Sequence, residues 1–235
     1  KIIEKTKFAI SNEETRYFLN GIYFHKKIIN NIDSLCLVAT DGHRLAKIDL
    51  FYPDGLIDIP GIIIPKKTIN ELSKLLAEVN EDIIINVDPN KIIFFVGKTT
   101  LISKLIDGNF PDYQRVIPKN NNKLLTADRQ KFSEAVDRVS TITSEKSRAI
   151  KFRLLNNLLN MTSADAENGT ATEDISVDYE GEEIEIGFNS KYILEMINQL
   201  DDEKLIFEFN DTNSPLIVKE SSNNDLVYVL MPMRV

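Results

Sequence analysis

The 235-residue sequence is short of several things that would assign it a function at once. It has a single cysteine, Cys36, inside the apolar run "LCLVA", so no internal disulfide can form. It has two histidines, His25 and His43, and neither belongs to an HxH, HExxH or Cys/His spacing, which removes the usual basis for a zinc site. No GxGxxG or GxxxxGK[ST] loop offers a phosphate cradle. No apolar run approaches the roughly 20 residues of a membrane-spanning helix, and no basic-then-apolar leader is seen. A soluble protein of a reducing cytoplasm is expected. The chain opens on Lys1 and enters helix-like sequence almost at once, so a truncated or processed form is also expected.

Excess positive charge is missing too. The net charge is −8, the wrong sign for gripping nucleic acid by charge alone. Residues 1 to 122 hold 16 Lys+Arg and 15 Asp+Glu, whereas 123 to 235 hold 12 and 21, so the acidic surface belongs to the second half. With 43% apolar and 27% charged residues the composition is globular, and the length suits two domains.

What is present is a duplication. "GIIIP" leads into "KKTINELSKLLAEV", where Ile69, Leu72, Leu76 and Val79 share one helical face, and Thr68 with Glu71 forms a capping box. At an offset of 124 residues, "EIEIGF" leads into "NSKYILEMINQL", with Ile193, Met196, Ile197 and Leu200 in the same stripe. Each copy continues into three short strands, "DIIINVDPNKIIFFVGKTTLISKLI" and "KLIFEFNDTNSPLIVKESSNNDLVYVLMP". Upstream, helical "KIIEKTKFAIS" precedes strand "TRYFLNGIYFH", and helical "RQKFSEAVDRVSTIT" precedes strand "RAIKFRLL". The expected architecture is α+β: two similar domains in tandem, 1–121 and 122–235, each with two helices packed on antiparallel sheets and joined near the polar "PKNNNK". Lys67, Lys74 and Lys191 lie opposite the buried stripes, on faces shared with Glu71, Glu78 and Glu195, as on an ordinary solvated helix.

Catalytic constellations are thin. Asp41, Asp107 and Asp112 could supply an acid and a base, but their spacing does not bring them together. "ATDGHRLA" reads as two strands joined at Asp41-Gly42, with His43 and Arg44 opening the return strand. The C-terminal "YVLMPMRV" ends the last strand in apolar residues, and methionine suits surfaces that accept varied apolar partners.

"RYFLNGIYF", "LVATDGHRLA", "IIPKK", "SKLIDGNFPDYQRVIP" and "VYVLMPMRV" occur in the order and spacing of the bacterial DNA sliding clamp family, the β subunit of DNA polymerase III, which the whole chain resembles. The resemblance is to the second and third of that family's three domains. It implies a DNA clamp fold and a non-catalytic processivity factor, without cofactor or metal. The full-length family member forms a head-to-tail homodimer ring around double-stranded DNA, independent of sequence, and the chain without its first domain is not expected to close one.

The resemblance further implies a peptide pocket between the two domains, formed by Leu19, Thr40, Gly42, His43, Arg44, Leu45, Pro111, Arg115, Val116, Val229, Leu230, Met231, Pro232, Met233, Arg234 and Val235. Its implied partners are the polymerase III catalytic subunit, the clamp loader, and repair or translesion proteins bearing short glutamine-leucine-phenylalanine motifs. Lys67, Lys74 and Lys191 become the implied DNA-facing residues. Glu13 and Glu14 depart from a DNA-near loop and would repel phosphate. Two other readings stand beside this one. The first is an enzyme of small acids or phosphates using His43 and nearby carboxylates, and the second is a peptide-binding adaptor unconnected with replication.

Overall fold

The computed structural model describes residues 1–52, 59–144 and 148–234. The chain divides into two compact units, Lys1–Asp112 and Tyr113–Val235, with the division ahead of the "PKNNNK" run.

The first unit opens with helix α1 (Ile2–Lys7), which buries Lys5 and Thr6, followed by a 3-10 turn at Tyr17–Leu19. Strands β1 (Gly21–Ile29), β2 (Ile32–Thr40), β3 (Arg44–Phe51) and β4 (Ile62–Pro65) form antiparallel neighbours in the order β4-β1-β2-β3. The expected strand over "TRYFLNG" is therefore only partly formed. Leu19 and Asn20 donate their backbone N–H groups to the Arg16 and Tyr17 carbonyls at 2.8 and 3.0 Å, so this stretch satisfies itself as a turn. Pairing starts at Gly21, opposite Pro65. A Cβ at Gly21 would lie 2.3 Å from the Ile64 carbonyl oxygen, which is why glycine opens the strand.

Helix α2 (Lys66–Ala77) follows β4 directly and buries Thr68, Ile69 and Leu72. The expected capping box is absent. The helix starts two residues before Thr68, with Pro65 as N-cap, so Thr68 lies inside the first turn, where its hydroxyl meets Ser103 Oγ at 2.6 Å. Glu71 pairs forward with Lys74 instead of back to the cap. Strands β5 (Ile84–Asp88), β6 (Lys91–Val96) and β7 (Thr99–Lys104) make a three-stranded meander.

The second unit repeats the plan with additions. Strand β8 (Lys123–Asp128) runs into α3 (Arg129–Ser140), whose N-cap Asp128 accepts the Lys131 amide at 2.9 Å. Strands β9 (Ala149–Leu155), β10 (Leu158–Asp165), β11 (Gly169–Ser176) and β13 (Ile184–Asn189) take the order β11-β10-β9-β13, with the short β12 (Asp178–Tyr179) pairing to β8. Helix α4 (Ser190–Ile197) is capped by Asn189, whose side chain accepts the Lys191 and Tyr192 amides. Strands β14 (Lys204–Phe209), β15 (Leu216–Glu220) and β16 (Leu226–Leu230) form the second meander, with β8 against β14. The expected stripe Ile193, Met196, Ile197 and Leu200 is buried.

The cores differ in chemistry. The first unit fills its interior with Ile22, Leu37, Ile48, Ile64, Ile69 and Leu72. The second uses Phe132, Phe152, Phe188 and Phe207, with Phe152 edge-on to Phe132 and Phe188 at 5.6 and 5.5 Å between centroids. No helix among the described residues is long and apolar enough to cross a membrane.

Candidate functional site

The "TDGHR" stretch is a hairpin connection between β2 and β3, and its side chains build its shape. β2 ends at Thr40 and β3 begins at Arg44, leaving Asp41, Gly42 and His43 to turn the chain, so His43 belongs to the loop and not to the return strand. The Asp41 carboxylate accepts the His43 and Arg44 amides at 2.9 and 3.0 Å and the Arg44 Nε at 3.1 Å. The Thr40 hydroxyl donates to the Arg44 carbonyl at 2.7 Å and accepts the Gly42 amide at 3.1 Å. Gly42 has φ +90°, a region L side chains rarely occupy. These bonds fix the bend, and the turn presents Gly42 and His43 on an exposed backbone.

Arg44 is buried and points inward. Its Nη2 donates to the Phe8 carbonyl at 2.7 Å and its guanidinium lies 5.2 Å from the Phe8 ring centroid, so it pins the hairpin to the segment after α1. Leu19 and Leu45 are buried as well, and Pro111 is exposed.

In the second unit, Arg115 and Val116 are exposed, Arg115 closing a short 3-10 turn. Val229 and Leu230 pair with Ile217 and Leu216 and are wholly buried. Met231 is 37% exposed, Pro232 and Met233 are half-buried, and Arg234 is exposed. The tail does not fray after β16, because the Met233 amide donates to the Gly187 carbonyl at 2.9 Å and bridges to β13. Val235 lies outside the described residues.

Arg16, with help from His43 close by, holds the Glu13 carboxyl below its usual pKa, but both Glu13 oxygens are bonded to Arg16. Asp41 is spent on its own turn, and Asp107 belongs to a cleft of about 970 Å³ lined by 60–63, 88–91 and 104–108, which shares no residue with the hairpin. No group of three His, Cys, Asp or Glu among the described residues could hold a metal. His25 lies in β1, stacked on Tyr23 at 4.8 Å, and desolvation lowers its pKa.

The sequence sets Glu13 against phosphate and does not pair it with Arg16. Glu13 and Arg16 form a forked ion pair, Nε to Oε2 and Nη2 to Oε1, both at 2.7 Å, and Arg16 Nη2 also donates to the Asp41 carbonyl at 2.9 Å. The i, i+3 spacing of "EETR" was the available signal.

Comparison with known proteins decides the family. Residues 1–112 match the central domain of the DNA polymerase III beta subunit, and residues 114–234 match its C-terminal domain. The chain belongs to the DNA polymerase III beta subunit family. The beta sliding clamp of Caulobacter vibrioides is 46% identical over 235 residues, all of this chain and 63% of that protein, and that of Pseudomonas aeruginosa is 39% identical over 234 residues. The crystal structure of the Bartonella birtlesii sliding clamp bound to griselimycin superposes with TM-score 0.96 at 45% identity, covering 99% of this chain and 63% of that one. A Caulobacter crescentus clamp with polyethylene glycol at its beta-motif tethering region superposes with TM-score 0.97 at 46% identity, covering 100% of this chain and 62% of that one. The chain thus spans about 63% of the length of the beta sliding clamps it matches.

The helix lysines are exposed, but two of the three face glutamates on their own helices. Lys74 lies 2.9 Å from Glu71 and Lys191 lies 3.7 Å from Glu195.

Proposed function

We propose that the protein is a sliding clamp of DNA replication, a non-catalytic processivity factor that in full-length form encircles duplex DNA as a head-to-tail homodimer. Partners such as the polymerase III catalytic subunit, the clamp loader and repair proteins dock on it through short peptide motifs. The observation that carries this reading is the hairpin. A loop whose only carboxylate and hydroxyl are consumed in shaping it is unsuited to acid-base chemistry and well suited to presenting a preformed binding surface.

The peptide-binding residues proposed in the first unit are Leu19, Thr40, Gly42, His43, Arg44, Leu45 and Pro111, and those in the second are Arg115, Val116 and residues 229–235. Griselimycin, held by the Bartonella relative, is the first small ligand to try on this chain. Lys67, Lys74 and Lys191 are proposed to face DNA. Glu71 beside Lys74 and Glu195 beside Lys191 keep phosphate contacts weak, as sliding requires, so binding of linear DNA fades with added salt.

Calorimetry with a glutamine-leucine-phenylalanine peptide tests the reading. Binding is expected for the intact chain and should be lost on deleting residues 231–235, a cut that leaves β16 whole. Undiminished binding by a folded deletion protein would place the site elsewhere.

A further inference from the structure

The three-stranded meander of the first unit has an apolar outer face. In β6 the buried Ile92, Phe94 and Val96 alternate with Ile93 and Phe95, which therefore point to the opposite side of the sheet. The register sets Ile84 beside Phe95 and Ile102 beside Ile93 on that side. Ile84 and Ile102 are 65% and 63% exposed and Phe95 is 38% exposed, so the strip lies open to solvent. The matching side of β14, β15 and β16 is closed. Ile217 and Val229, paired across β15 and β16, are buried there, and Lys219 bonds Glu208 at 2.7 Å. Asn121, in the stretch leading into β8, ties that stretch to the same meander by donating Nδ2 to the Glu208 and Pro215 carbonyls.

The strip runs into the cleft described above. The next row on the same face is Asp88, Lys91 and Lys104, and all three line the cleft. Lys91 pairs with Asp88 at 3.2 Å, whereas Lys104 makes no ion pair among the described residues. Across the cleft, Gly61 lies against the Tyr23 ring, which leaves no room for a side chain there. Phe110 stacks on Tyr23 with ring centroids 4.8 Å apart and planes 6° from parallel, and Pro111 follows it in the chain. Gly108 lines the cleft and Pro111 is three residues further on, at most about 10 Å away. The cleft thus adjoins a residue of the proposed peptide site.

Size decides what this surface can hold. Three strands about 4.8 Å apart, bearing three rows of side chains, present on the order of 250 Å². A stable protein complex needs roughly 800 Å² per partner, so the strip alone is too small to pair two copies of the chain. It suits an extended segment already held close by, for which a high effective concentration replaces area.

We infer that the cleft and strip are a second docking surface for partners of the peptide site, and that they take the residues flanking the docking motif. One acidic side chain would sit over Lys104, and apolar side chains at alternate positions would lie on Ile93, Ile102, Phe95 and Ile84. Asp88 and Asp107 also line the cleft and repel a run of acids, so a single acid is expected. The inference rests on the peptide-binding reading above and adds to it the chemistry of the flanks.

Calorimetry on the whole chain tests it with the bare glutamine-leucine-phenylalanine motif and two lengthened peptides. These carry about ten extra residues at the N-terminal or the C-terminal end, a span of about 34 Å when extended. The extension is a Gly-Ser spacer, one glutamate, then alternating leucine and serine. One of the two should bind about tenfold tighter than the bare motif. Ile84→Thr with Ile102→Thr should abolish that gain, threonine keeping the β-branch that suits a strand. Lys104→Glu should cut the gain about threefold. Bare-motif affinity should stay unmoved in both variants. Serine in place of the leucines should also remove the gain, a control that leaves the protein unaltered.

No gain from either lengthened peptide, or a gain that survives both variants, would overturn the inference while leaving the peptide reading intact. Concentration-dependent dimerisation that the double variant abolishes would also overturn it, by giving the strip to a second copy of the chain. A gain seen with this chain but absent from the full-length protein would overturn it too, because the strip would then be covered by the rest of that protein. Failure of every peptide to bind, bare or lengthened, would overturn both readings together.

Discussion

The same sheet is finished in opposite ways in the two units. In β4-β1-β2-β3 the rows Tyr23, Val38, Lys47 and His25, Cys36, Asp49 run across one face. In β13-β9-β10-β11 the matching rows are Lys151, Thr162, Thr172 and Arg153, Asn160, Asp174. Cys36 and Val38 are wholly buried, Lys47 is buried against Asp49, and Tyr23 stacks on Phe110 at 4.8 Å. The second unit's face is instead a wet ladder, with Arg153 on Glu183 at 2.5 Å, Lys151 on Glu185 at 3.7 Å, and Asn160 bonded to Asp174 at 2.6 Å. A duplicated backbone therefore leaves each copy to choose which surface to cover. The hydrophobic face toward the helices is common to both; the other face is where the copies diverge.

The largest expected effect breaks the comparison at the cores. Phe152→Ala should cost about 3–5 kcal/mol in denaturant unfolding, because it empties the centre of an aromatic cluster. Phe24→Ala, at the matching place on β1, should cost less, since Phe24 is only half-buried. Equal losses would show that the two interiors are equivalent after all.

Exchanging residues across the matching rows should come next. Cys36→Asn puts an amide into a dry site and should cost about 1–3 kcal/mol, whereas Asn160→Cys, on a solvated face, should stay below about 1 kcal/mol.

A pH series sharpens the same contrast. Burial lowers the His25 pKa in the folded state, so the unfolded chain binds that proton more readily. Stability is therefore full above the ordinary histidine value of about 6.5 and is lost as pH falls from there toward the folded-state pKa. His25→Asn should flatten this part of the profile, and Arg153, its counterpart on β9, should contribute nothing to it. A profile unaffected by His25→Asn would assign the acid loss to carboxylates. The smallest effect is expected from Arg153→Ala, which removes an ion pair whose side chains are about half exposed and should leave the unfolding midpoint unmoved.

Periodicity carried most of the architecture. The stripes of α2 and α4 and both three-strand meanders were readable because apolar spacing and turn residues agreed locally. The capping box at Thr68 was misleading because β4 runs into α2 without a loop, which shifts the helix start upstream of the motif. The 3-10 turn at Tyr17–Leu19 was hidden because its apolar residues look like a strand until the Arg16 and Tyr17 carbonyls are seen to be taken. At the hairpin, "TDGHR" announced a turn, but the inward course of Arg44 toward Phe8 depends on a contact 36 residues back in sequence and left no local trace. Glu13 looked like a charge facing phosphate because nothing in composition says that Arg16 has already neutralised it.

The bridge from Met233 to Gly187 bears on self-association. Strand β13 is the outer member of its sheet, and an outer strand with unpaired amides and carbonyls is a template for another chain. By occupying the Gly187 carbonyl, the tail acts as a stopper on that border. Removing residues 231–235 should therefore uncover the border as well as abolish ligand binding, and the shortened protein should show concentration-dependent association in sedimentation that the intact chain does not.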